Sequence, residues 1–423
     1  MPCPPPPRAG GAELAVQGAL IRALSHRDAR IFFGASLMAW TGLWMHRIAV
    51  AWLAWELTGS AFWVGMVAFC DLAPAVVFSP IAGAVADRVD RVRLTMWGQV
   101  AIAAQAAAIA GLTAAGWISI GPLLVLEVMG GIAASFVQPA RQALMPGLVP
   151  RADLPAAVAC NSLTFNVARF LGPGLAGPLI AGFGVVPAIA ANALAYVLAC
   201  ATLPLLRPAE EHRRGHAPEA SLLTETWEGI RYVARHPGIG PLFLFAGVTA
   251  VLLRGVQEIL PPYVERLFGQ GAPGLAVLTA AIGVGALCGG LWVASRGRLT
   301  GVTALAVAGV AAQAMAIGGF VATGWFPFAV LCAAVFGACA SIHGISVQQL
   351  AQSAALTKMR GRTLSLWGLI TRACPALGAL VLGLAGEALG MRLPTLLAVA
   401  LALMVAAAAA LRLRKWAAHL EGN

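Results

Sequence analysis

Twelve mostly apolar stretches, each close to the length that crosses a bilayer, follow one another through this chain with short loops between them. They fall at about 31–55, 61–82, 94–115, 119–140, 156–181, 184–206, 238–261, 273–295, 300–322, 325–348, 361–385 and 392–411. Roughly 20 apolar residues in an α-helix cover the ~30 Å hydrocarbon layer. Helices and closed barrels alone satisfy their backbone within it. The chain is 60% hydrophobic and only 11% charged, more apolar surface than a water-soluble domain can bury. The pattern predicts an all-α polytopic membrane protein of twelve spans.

Lys and Arg set its orientation. One side carries Arg8, Arg22, Arg27 and Arg30, then Arg88, Arg91 and Arg93, Arg141 and Arg151, and Arg207, Arg213, Arg214, Arg231 and Arg235. It continues with Arg296, Arg298, Lys358, Arg360 and Arg362, and ends on Arg412, Arg414 and Lys415, against Arg266 and Arg392 opposite. Both termini are therefore expected in the cytoplasm, with the spans in a bacterial plasma membrane. The net charge of +11 is a topology signal and an attraction to anionic lipid; its dispersal over many loops argues against nucleic acid. The eight cysteines are scattered without metal-ligand spacing. Residues 1–20 are Pro-rich, lack the pattern of a signal peptide, and are expected to be mostly disordered.

The organisation is six spans and six. A tail (1–30) precedes a first bundle (31–206), a polar linker (207–237), a second bundle (238–411) and a short tail (412–423). Within the linker, Ser221 to Arg235 has apolar residues at helical spacing, which predicts an amphipathic helix along the inner membrane surface. The halves resemble repeats: Arg169 before Gly172 and Pro173 in span 5 matches Arg372 before Pro375 in span 11, and Arg47 of span 1 matches Arg254 of span 7. Such halves enclose a central site in transporters.

Ionisable residues inside spans cost about 2.5–3.5 kcal/mol each on insertion scales, so each needs a partner or a wet cavity. Asp71, Glu127 and Glu258 are the candidates for carrying a proton. His46, Arg47, Arg169, Arg254, Gln257, His343 and Arg372 are the candidates for lining a substrate cavity. Spans 3, 6, 9 and 12 carry no charge in their interiors, Arg392 standing at the very start of span 12, and are expected to face lipid. Gly172, Pro173 and Pro375 are expected to bend their helices, and Gly285, Gly289 and Gly290 to serve as packing surfaces.

Between spans 2 and 3 runs Gly83-Ala84-Val85-Ala86-Asp87-Arg88-Val89-Asp90-Arg91. This loop resembles the signature loop of the major facilitator superfamily, in which it acts as an inner gate latch. The resemblance marks Gly83, Asp87, Arg88 and Arg91 as gating residues, with Gly83 allowing helices to approach and Arg141, Arg360 or Arg362 as partners for Asp87. A second stretch, Gln138-Pro139-Ala140-Arg141-Gln142 with Pro146, Pro150-Arg151 and Asn161-Ser162, is similar to the branch holding enterobactin exporters and drug–proton antiporters. It implies two six-helix bundles and proton-coupled export of a small organic solute such as a siderophore, metabolite or drug. A lysophospholipid or metabolite carrier, an importer, and a non-transporting scaffold or sensor are the alternatives. The chain lacks a Gly-rich loop ending in Gly-Lys-Ser/Thr and a soluble segment long enough for a catalytic domain, so neither a primary pump nor an enzyme is expected. No cofactor is expected, and the unit is expected to be a monomer.

Overall fold

The computed structural model describes residues 22, 24–208, 222–296, 300–356 and 359–421. The extreme N-terminal tail, Arg213, Arg214, Arg298 and Lys358 lie outside the described residues. In chain order the helices are α1 (Arg27–Thr58), α2 (Ala61–Leu72), α3 (Pro74–Arg88), α4 (Arg91–Ala114), α5 (Ile120–Leu144), α6 (Leu154–Phe183) and α7 (Val185–Thr202). There follow α8 (Leu222–Arg235), α9 (Ile239–Thr249), α10 (Gly255–Glu258), α11 (Leu260–Tyr263), α12 (Gly271–Arg296), α13 (Val302–Ala322), α14 (Phe326–Ala354), α15 (Arg360–Leu389), α16 (Arg392–Leu411) and α17 (Leu413–Leu420).

Among the described residues ten helical segments are long and apolar enough to cross a membrane. The two remaining expected spans are α1 and α6, helices of 32 and 30 residues. They are less apolar because they carry His46, Arg47, Asn161, Asn166, Arg169 and several glycines and prolines. Both pack within the same bundle, α1 on α7 and on α6.

Two spans are interrupted among the described residues, spans 2 and 7. Pro173 and Pro375 both lie inside continuously helical segments. Span 2 instead breaks between α2 and α3, where Pro74 cannot donate a backbone hydrogen bond. Gly131 of α5 packs against this break: a Cβ there would come within 2.4 Å of the Asp71 carbonyl oxygen. Span 7 carries a π-helical turn, Ala250–Arg254, between α9 and α10, and a second, Val264–Phe268, after α11. Such turns recur at functional positions, and here they carry Arg254 and Arg266.

Within each half the charge-free spans pair at the flank, α4 with α7 and α13 with α16. The halves meet along α2 with α15 and α6 with α12. These seams are closest near the base-poor end, termed the outer end after its charge. A Cβ at Gly65 would lie 2.5 Å from the Ala379 carbonyl oxygen, at Gly383 2.6 Å from that of Ala61, and at Gly177 1.9 Å from the Ala276 Cβ. Close approach of this kind needs small residues. A polar latch caps the same end: Arg266 donates to the Gly59 carbonyl at 2.9 Å and to Glu387 at 3.1 Å, while the Ala61 N–H donates to Glu387 at 2.9 Å. The N-terminal half thus enters the latch through main-chain hydrogen bonds and through the Trp55 ring, 5.2 Å from the Arg266 Cζ. Gly285 and Gly289 pack on the Ala334 and Ala338 carbonyls of α14, as expected.

At the inner end α8 touches both α3 and α15, and Arg362 donates to its Glu228 at 2.6 Å. Trp227 is exposed while Val233 is buried, so the helix packs one face on the protein and leaves the other open. The last helix is missing from the sequence reading. α17 docks on the second half, with Trp416 edge-on to Phe245. Glu421 then accepts N–H groups of Gly301 at 2.8 Å and Thr303 at 2.8 Å, capping the start of α13. Burial alone would raise the Glu421 carboxyl, but these N–H bonds outweigh it and hold it below its ordinary range. A depressed carboxyl stabilises above its unfolded value and loses that contribution as pH falls through the folded one. Glu421→Gln is therefore expected to lower Tm by about 1–3 °C at neutral pH. That deficit should vanish in acid, as read by thermal unfolding of the detergent-solubilised protein across pH.

Candidate functional site

His46 and Arg47 are consecutive in α1, so their side chains leave the helix about 100° apart. Arg47 turns toward the interface between the halves and donates to Asp71 of α2 at 2.8 Å. The pair is about one-fifth exposed, 24% and 20%, in keeping with a cavity rather than a dry core. His46 turns into the first bundle. Its Nε2 lies 3.0 Å from Oε1 of Glu127 on α5, and Gln105 of α4 donates to the same oxygen at 2.9 Å. His46 and Glu127 are buried, and Nδ1 of His46 has no protein partner.

A cavity lies between the halves. Trp44, Arg47, Arg169, Gln257, Glu258 and Thr279 supply its polar and aromatic wall, and Ile48, Pro173, Leu275 and Ile282 its apolar one. Trp44 is flanked by two guanidiniums: the Cζ atoms of Arg47 and Arg169 each lie 5.3 Å from its ring centroid. Arg169 also donates to Gln257 across the halves at 3.3 Å. Gly172 makes this possible, since a Cβ there would come within 2.4 Å of the Trp44 Cβ. Its role is close approach of α6 to α1. Arg254 is in electrostatic range of Arg169 and Glu258, and Arg372 of Arg47 and Asp71.

Five expected residues thus meet at one cavity or its wall: Arg47, Arg169, Gln257, Glu258 and, through Arg47, Asp71. Two expectations are corrected. His343 does not reach the cavity: it is buried, its Nδ1 bonds the Ala306 carbonyl at 2.9 Å, and its ring sits edge-on to Phe245. His46 belongs to the Glu127 cluster instead, because the helical turn separates it from Arg47. Trp44 was not anticipated. Its signal is its place three residues before Arg47, on the same helix face.

The gating loop is placed in part. Gly83 has open space where a Cβ would stand, so it mediates no close helix contact in this conformation. Arg88 is exposed, and Arg91 donates to the Ala86 carbonyl at 3.1 Å; the Asp87 side chain lies outside the described residues. Asp90, absent from the expected set, caps α4 by accepting from Val92 and Arg93 N–H at 2.9 and 3.1 Å. Arg141, expected near Asp87, is buried, bonded to Ser36 and placed over the rings of Trp40 and Phe32 at 4.7 and 5.3 Å.

A family model described as "Transmembrane secretion effector" matches residues 21–421. The multidrug efflux pump Tap of Mycolicibacterium fortuitum is 28% identical over 394 residues, 88% of this chain and 92% of that protein. The Staphyloferrin A transporter of Staphylococcus aureus is 28% identical over 173 residues, 40% of this chain and 43% of the transporter, so that match spans less than half its length. A solved bacterial homolog to the human lysosomal transporter Spinster, inward-facing and unoccupied, superposes with TM-score 0.71 at 16% identity. It covers 92% of this chain and 98% of that one, a likeness of fold.

Proposed function

The chain belongs to the transmembrane secretion effector family of the major facilitator superfamily, and as an exporter of that fold we propose that it exchanges protons for a small organic solute by alternating access. The observation that carries the proton assignment is the buried His46–Glu127–Gln105 cluster. With Glu127 ionised, Gln105 and the His46 Nε2–H both donate to it, which leaves Nδ1 of a neutral ring as a bare acceptor. That state buries one net negative charge, which is costly without a cationic partner. One proton on Nδ1 converts it to an imidazolium–carboxylate pair of zero net charge with no heavy atom displaced.

Asp71 serves differently. It is already neutralised by Arg47, and protonating it would free a guanidinium, so we assign it to holding Arg47 at the cavity wall. The seal at the outer end supports reading this conformation as closed to the outside, with the cavity awaiting solute from within. We further propose that the chain lies in a bacterial plasma membrane with both termini in the cytoplasm, and that one chain is the transport unit.

The test is flux in proteoliposomes of purified protein, with counterflow of solute separated from accumulation driven by an imposed pH gradient. We expect both. Counterflow that persists while a pH gradient leaves accumulation unchanged would overturn the proton assignment and keep the exporter.

A further inference from the structure

The central cavity has more positive charge than its own acids balance. Arg47, Arg169, Arg254 and Arg372 stand against Asp71 and Glu258 there or within electrostatic range. Glu127 is also within electrostatic range of Arg47, which leaves four guanidiniums against three carboxylates. Three residues of the cavity wall also carry a buried N–H with no protein acceptor: Nε1 of Trp44, Nε of Arg47 and Nε of Arg169. They belong to one group, in which both guanidiniums approach the same indole ring. Buried donors without acceptors are uncommon, and donors of one charge sign gathered at one wall match an oxyanion. The apolar lining of Ile48, Leu275 and Ile282 suits an apolar or planar body.

We propose that the exported solute is a small organic carboxylate, its anionic end taken by Arg169, Arg47 and the indole N–H of Trp44, and its body resting on the apolar wall. This names the substrate class of the export reading and rests on it. A proton entering as a carboxylate leaves moves charge in the same direction twice. The exchange is then electrogenic, and an inside-negative potential drives it, by about fifty-fold in attainable gradient per elementary charge for each 100 mV.

The experiment is binding to the purified full chain in detergent, followed by thermal shift and calorimetry, with citrate, salicylate, benzamide, glycerol 3-phosphate and ethidium. Citrate or salicylate is expected to bind, and benzamide, the neutral counterpart of an aromatic carboxylate, is not. Arg169→Gln is expected to weaken carboxylate binding at least about 30-fold, and Trp44→Phe, which keeps the ring and deletes the N–H, about 5-fold. Should Arg169→Gln fail to fold, the wild-type contrast between salicylate and benzamide still decides. Binding of ethidium or glycerol 3-phosphate with no carboxylate bound overturns the proposal, as does equal binding of salicylate and benzamide. Proton-driven flux of ethidium would sink the carboxylate assignment and leave proton-coupled export standing. Carboxylate binding without proton-driven flux would do the reverse.

Discussion

Valine at position 177 is expected to hold the protein open at its outer end and to abolish net transport. Any Cβ added to Gly177 meets the Ala276 Cβ at 1.9 Å and its Cα at 2.9 Å. These are short, stiff groups of the facing helix with no flexible end to move aside. The seam between α6 and α12 then cannot close without separating by an ångström or more, and the latch of Arg266 and Glu387 sits at the same end. Packed interfaces of this kind switch rather than deform. Spin labels on the outer ends of α6 and α12 should report a longer mean distance in Gly177→Val than in the wild type, with flux at background. Gly174→Val is the control: three residues earlier in the same helix, its Cβ meets nothing within 4 Å, and flux should stay within about two-fold of the wild type. Wild-type distances and flux in Gly177→Val would show that the seam never needs to be this tight.

Glutamine at position 127 is expected to separate transport from its driving force. The amide keeps an acceptor for Gln105 and His46 but carries no charge, so a proton on His46 no longer completes a neutral pair. Solute exchange at equal concentrations should survive within a few-fold, because the cavity wall is untouched. Accumulation driven by a pH gradient should fall at least about ten-fold, the cost of about 1.4 kcal/mol on one protonation step. His46→Gln should reproduce the pattern. Full gradient-driven accumulation in both variants would move the proton elsewhere, with Glu258 at the cavity wall the next acid to test.

Much of this architecture is legible in the chain because the bilayer constrains it. Apolar length, basic loops and the six-span repeat are one-dimensional signals, and Arg47, Arg169 and Glu258 stand out as charges inside a span. Which neighbour each charge chooses is not one-dimensional. His46 and Arg47 are adjacent in sequence and end in different environments, because one residue of helix is a third of a turn. Proline is ambiguous in a sequence for a related reason. Pro173 and Pro375 lie within continuous helices, while Pro74 sits at a break that Gly131 accommodates from another span. His343 reads as polar in the sequence, but the Ala306 carbonyl on a neighbouring helix takes up its Nδ1. Trp44 has no charge to betray it. Its importance lies in two arginines, 122 residues apart in sequence, that reach its ring from two helices.

The outer latch draws a further line through the sequence. Its first-half hydrogen-bond partners are a carbonyl at Gly59 and an amide hydrogen at Ala61, so the closure rests on the backbone of that turn, which Gly59 holds at a φ of 59°. The fragile chemistry is concentrated in Arg266 and Glu387. One replacement tests that backbone: proline at 61, usually harmless at the first position of a helix, would delete the N–H that Ala61 gives to Glu387. A substitution mild for folding would there become a defect in sealing.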